Sequence, residues 1–202
     1  MVNLIKDVLS LLMGTHKLFA NNFFNYADSE MVHLIDEKKF IWGNIKPDYV
    51  SKYKLKKHFY NESIEMILNK IDFLSSMSVE EISHEYGKKK FSAELGVVCH
   101  FISDYFCFAH NKRWELKNAL KKHVLYERDL GKIAKSFNFS DYIDTELQIE
   151  DMGQFIEENL KNYEANHSYS NDLIYATFIC NSVINTLLSR VVKNVYEERR
   201  AG

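Results

Sequence analysis

The sequence has a single proline, Pro47, and only seven glycines in 202 residues. So few chain breakers exclude an extended linker and favour long helices. Three cysteines are present, Cys99, Cys107 and Cys180, with no Cys-x-x-Cys pair. The odd count excludes a fully paired framework within one chain, and the missing pair leaves no sign of a zinc knuckle or a thioredoxin-like site. Cys99 and Cys107 are eight apart on one expected helix, too far for a direct bond. Free, buried thiols are expected, which fits a reducing compartment. Charge of one sign is also lacking: 26 basic and 28 acidic residues leave a net charge of -2, which argues neither for nor against nucleic acid. The strongest apolar run, Leu173 to Val192, is broken by Asn181, Asn185 and Arg190, so it reads as a buried terminal helix with no membrane span. At the N-terminus Asp7 interrupts any signal-peptide core and no small-residue cleavage site follows, so a cytoplasmic location is expected.

What the chain does have is apolar mass and histidine. It is 46% hydrophobic, with 14 Phe, 12 Tyr and 8 His. That suffices for one globular domain spanning 1–202. No strand-like alternation and no repeat is visible, and the fold class expected is all-α. Leu4, Val8, Leu11, Leu12, Phe19 and Phe23 recur at helical steps over 4–26. A short helix is expected over 31–38. Gly43, Asn44 and Pro47 predict an irregular loop over 40–50 that delivers Asp48. A helix over 51–70 would carry His58 in its middle and a lysine-rich start. Ser78 and Glu81 form a capping-box signal, and Gly87 ends that short helix. A central helix follows from Lys88 to about Cys107 or His110. Asn111 is expected to cap the next helix and Gly131 to end it. Two further helices, near 147–162 and 172–198, complete the domain. His33, His84 and His167 are read as surface residues.

The chemistry concentrates in Glu94–His110 and its echo at His123–Glu127. His100 and Asp104 are four apart, as are His123 and Glu127. On helices each pair lies on one face, one turn apart. Around His100 the residues are apolar nearly all round, so a buried histidine and aspartate there need partners. A cation is one such partner; a basic side chain or hydrogen-bond network is another. Imidazole and carboxylate are what zinc takes in the absence of thiolates.

The ordered set His16, Asp48, His58, His100-x-x-x-Asp104, His110, His123-x-x-x-Glu127 resembles the bacterial zinc-dependent phospholipase C family, and through it the single-strand-specific zinc nucleases. The resemblance covers the first two thirds of the chain and implies a multi-helix domain with two or three Zn2+ ions. It implies a first ion on Asp48, His58, His100 and Asp104, and a second on His110, His123 and Glu127. A third would share Asp104, add His16 and use the N-terminal amine and carbonyl. Asp48 matches the residue expected as general base. Members of that family are usually secreted and expose an N-terminal tryptophan; Asn3 stands at that position here.

The function so implied is zinc-dependent hydrolysis of a phosphodiester, with a phospholipid or small phosphodiester as substrate. Two other readings stay open. A nuclease-type phosphodiesterase would need aromatic platforms, for which Tyr49, Tyr53, Phe106 and Trp114 are candidates. A non-catalytic helical metal-binding or interaction protein would keep the residues as a relict site. Such ligands also accept manganese, iron or cobalt.

Overall fold

The computed structural model describes residues 14–25, 29–49, 58–114 and 119–201. Every regular element among them is helical. Helix α1 covers 14–25, followed by α2 (Ser29–Val32), α3 (Glu37–Tyr49), α4 (Tyr60–Ser75) and α5 (Val79–Glu81). Helix α6 (Lys88–Tyr105) leads through α7 (Phe108–Asn111) to α8 (Leu120–Ala134), α9 (Met152–Glu164) and α10 (Tyr169–Ala201).

Helix α6 is the axis of the domain. From Leu95 to Tyr105 every residue is buried, as its nearly all-round apolar sequence requires. Helices α3, α4 and α10 pack around it. The closest crossing is with α3. A Cβ on Gly43 would lie 2.1 Å from the Ala93 carbonyl, and one on Gly96 would lie 2.2 Å from the Phe40 carbonyl. The two glycines therefore let the backbones meet at a spacing no other residue permits, and they set the height at which α3 faces His100.

That crossing corrects the expectation of a loop over 40–50. Gly43, Asn44 and Pro47 all lie within α3. Gly43 serves a contact with another helix rather than a turn. Pro47 sits near the C-terminal end, where its missing N–H costs one helical bond. Other boundaries also move. His58 occupies a bend just before α4 rather than the middle of a helix, and residues 51–57 lie outside the described residues. Helix α6 stops at Tyr105, Asn111 closes α7 instead of capping α8, and Gly131 lies inside α8. The capping box is as expected: Ser78 N–H donates to Glu81 at 2.7 Å and Glu81 N–H donates back to Ser78 Oγ at 3.3 Å. Gly87, at φ +89°, adopts the left-handed backbone that separates this turn from α6.

All three cysteines are free and buried. Among the described residues no helix is long and apolar enough to cross a membrane.

Candidate metal centre

Six elements converge where α6 ends. Helix α1 brings His16, α3 brings Asp48, the bend before α4 brings His58, α6 brings His100 and Asp104, and α7 and α8 bring His110, His123 and Glu127. Asp104, 2% exposed, is the hub. Its Oδ2 lies 2.8 Å from His58 Nδ1 and 3.2 Å from His100 Nε2, and its Oδ1 lies 3.3 Å from His16 Nε2 and 3.5 Å from His110 Nε2. Asp48 Oδ1 stands 3.7 Å from His100 Nε2 and 3.9 Å from His58 Nδ1. A second hub is Glu127, whose Oε1 is 3.0 Å from His110 Nε2 and 2.6 Å from His123 Nε2. All eight residues singled out in the sequence thus form one connected cluster.

The hydrogen bonds behind the cluster fix ring tautomers. His100 Nδ1 is 2.8 Å from the Asn44 carbonyl, which can only accept, so the proton sits on Nδ1. Ser103 Oγ donates to the His100 carbonyl at 2.8 Å, and is therefore left to accept from His16 Nδ1 at 3.1 Å. In the neutral form of either ring Nε2 is then a lone pair aimed at the Asp104 carboxylate. His100 Nε2 also faces His58 Nδ1 at 3.2 Å. A lone pair facing a carboxylate repels it unless a proton or a metal cation lies between them. Tetrahedral zinc with ligand bonds of about 2.0–2.2 Å holds its donors roughly 3.3–3.6 Å apart, close to the separations around Asp104. Ligand atoms of His58, His100 and Asp104 lie within 4.8 Å of one another, as do those of His16, Asp48 and His100, and of Cys107, His110 and Glu127. The donor set fits zinc, and its backbone and hydroxyl partners are of the kind that orient metal-binding imidazoles.

Electrostatics agree. Burial pushes Asp104 up, but its electrostatic interactions with His110, His100 and His16 more than offset it and hold the carboxyl well below its usual range. Burial likewise pushes Glu127 up, and hydrogen bonds from His110 and His123 bring it down to about 2. Both carboxyls are ready anions.

Residues 15–192 match the zinc dependent phospholipase C family. The chain belongs to that family. No curated protein and no solved structure matches it. It is thus an all-helical member of a zinc-binding, hydrolase-like family, and the clusters around Asp104 and Glu127 are its candidate metal-binding groups.

Several residues at or beside these clusters are not evident from the sequence. Cys107 joins the Glu127 cluster through its thiol. Asp172, buried on α10, accepts from Phe108 N–H at 3.0 Å, Tyr126 Oη at 2.8 Å and Tyr163 Oη at 2.7 Å, so it anchors the start of α7 just before His110. Arg113 adopts φ +53°, uncommon for a side chain of its size. Its guanidinium lies over Phe59 and donates to Glu62 at 3.1 Å. A cleft of about 90 Å³ opens beside the cluster, lined among others by His58, Tyr60, Asp104, His110, Arg113 and Glu164. Of the aromatic platforms, Phe106 is fully buried and Trp114 packs on Phe108 and Tyr126 outside that lining. Tyr53 lies outside the described residues.

Proposed function

We propose that this chain is a zinc-dependent phosphodiester hydrolase of the phospholipase C type, acting on a phospholipid or a related small phosphodiester. The observation that carries the reading is the convergence of four imidazoles on one buried carboxylate, Asp104, with His100 Nε2 and His16 Nε2 presented as lone pairs. Asp48, His58, His100 and Asp104 would hold one zinc. His110, His123 and Glu127 would hold another. Asp104 and His16 would share a third with the N-terminal amine, which lies outside the described residues. When bound, such ions acidify water and neutralise nonbridging phosphate oxygens.

The protein's own groups divide the remaining work. Asp48 is less buried than Asp104, with 17% of its side chain exposed against 3%. Its greater exposure supports a role for Asp48 in accepting the proton of an attacking water, while Asp104 stays locked among imidazoles. His100 is held by the Asn44 carbonyl of α3, so the α3–α6 crossing fixes its ring before substrate arrives. Arg113, at the cleft wall, can orient an anionic phosphate entering toward His58 and His110.

Elemental analysis of untagged protein purified without chelator, paired with a screen of phosphodiesters, tests this. Two or three zincs per chain, with release of phosphorylated headgroup from phospholipid that stops on chelation, is the expected result. Preferential cleavage of single-stranded nucleic acid would move the activity to the nuclease class. A chain that takes up no metal in zinc-replete buffer would overturn the reading and leave a relict site.

A further inference from the structure

The three thiols are not alike. Cys99 and Cys180 face each other across the α6–α10 interface, with Cys180 Sγ donating to the Cys99 carbonyl at 3.5 Å. Cys107 lies in the short link between Asp104 and His110. Its own N–H is bonded to the Asp104 carbonyl at 3.1 Å and its carbonyl accepts from Asn111 N–H at 2.9 Å, so both ends of the residue are fixed. Its Sγ lies within 4.8 Å of ligand atoms on His110 and Glu127, and all three residues are buried. The same thiol lines a small cavity together with His16, Asp104 and Glu127.

We propose that Cys107 Sγ is a protein ligand of the ion held at Glu127, which makes that site a mixed sulfur, nitrogen and oxygen centre. The inference rests on the zinc-binding reading above. Three donors, His110, His123 and Glu127, leave a fourth position for water, as in sites that do chemistry. A thiolate closes that position. It converts the Glu127 site toward a four-ligand, structural type and leaves the Asp104 cluster, with oxygen and nitrogen donors alone, as the place where water is activated. On binding, the S–H bond breaks, the S–metal bond forms, and the proton leaves to solvent. A soft donor also shifts preference toward zinc and cadmium and away from manganese. The competing role for Cys107 is packing, since it also belongs to a small apolar cluster with Ala109, Leu130 and Leu173.

Cobalt(II) titration of the whole chain separates the two roles. Thiolate ligation gives an intense sulfur-to-cobalt charge-transfer band in the near ultraviolet that nitrogen and oxygen donors do not give. The band is expected in the native protein and in the double variant Cys99→Ser/Cys180→Ser, where Cys107 is the only thiol. It should vanish in Cys107→Ser while the weaker visible bands remain. Cobalt bound without the charge-transfer band, in the native protein or in the double variant, overturns the assignment of Cys107 and leaves the zinc-hydrolase reading standing. Persistence of the band in Cys107→Ser does the same. Failure of cobalt and zinc to bind at all overturns both. If Cys107→Ser does not fold, the double variant alone still decides.

Discussion

Two buried carboxylates close to the same cavity behave in opposite ways. Asp104 is surrounded by His16, His58, His100 and His110. Asp172 is surrounded by two tyrosine hydroxyls and one backbone N–H. Both lose hydration on burial, which disfavours the charged form. At Asp104 the surrounding imidazoles reverse that and hold the group well below the ordinary carboxylate range. At Asp172 burial wins over its neutral donors and pushes the carboxyl up to about 6. Burial alone therefore does not mark a metal ligand. The chemistry of the neighbours does: nitrogen bases around one carboxylate suit a cation, while hydroxyl and amide donors around the other suit a structural tie.

The sharpest way to break the contrast is Asp104→Asn. The change keeps shape and removes the charge that four imidazoles share. Loss of transition-state charge stabilisation worth several kcal/mol corresponds to about a thousand-fold or more in rate. Metal content should fall by at least one ion per chain, since two of the proposed sites use this carboxylate. Retention of full zinc content and activity would remove Asp104 from the centre. Next in size is Asp172→Ala. It strands two tyrosine hydroxyls and the Phe108 N–H in the interior, at about 1–3 kcal/mol for a buried unsatisfied group. A loss of roughly 3 kcal/mol in denaturant stability is expected, with α7 loosened and zinc affinity lowered secondarily. If stability held while zinc was lost, Asp172 would belong to the metal centre instead.

How far this contrast could be read in advance depends on where each partner comes from. His100/Asp104 and His123/Glu127 were legible because both members of each pair lie on one helix, and the period of 3.6 places them on one face. His16, Asp48 and His58 come from three other elements, and only the family resemblance joined them to the set. The all-helical fold followed from scarce breakers and helical apolar spacing. The loop expected over 40–50 failed because Gly43 acts across a helix crossing, against Gly96, and no local pattern reveals which helix a glycine will meet. Asp172 was not singled out for a related reason. Its donors arise at Phe108, Tyr126 and Tyr163, 9 to 64 positions away. His58 is expected in mid-helix when Ser51 is taken as the cap of one helix over 51–70; it stands instead ahead of α4, free of that helix's geometry.

The charge state of Asp172 can be tested through pH. Its folded value of about 6 lies above the reference near 3.9 for an unfolded aspartate. A raised carboxyl binds a proton more tightly in the folded protein. Its contribution is fully present below the unfolded value and is lost as pH rises through 6. Between pH 7.5 and pH 5 this one group should add about 1.4 kcal/mol of stability on acidification. Asp104 and Glu127 oppose that trend only at lower pH, because their folded values are depressed. Comparison with Asp172→Asn isolates the effect: the stability difference between the two proteins should change by that amount over this range. A constant difference would show that Asp172 is ionised throughout, like Asp104.

The smallest effect concerns how Asp104 keeps its imidazoles aligned. Ser103 donates to the His100 carbonyl and accepts from His16 Nδ1, so it fixes which His16 nitrogen faces Asp104. Without the hydroxyl, His16 can rotate or exchange tautomers, and the ion shared by His16 and Asp104 should weaken. Outer partners of this kind are typically worth 10–100-fold in metal affinity. For Ser103→Ala the lower end is expected, about tenfold, because the Asp104 carboxylate and the other imidazoles remain. Competition with a chromophoric chelator reads this directly. One site should release zinc more readily while the ion at Glu127 is unchanged. Equal weakening of every site would mean that Ser103 supports the end of α6 as a whole, and that the His16 tautomer is set elsewhere.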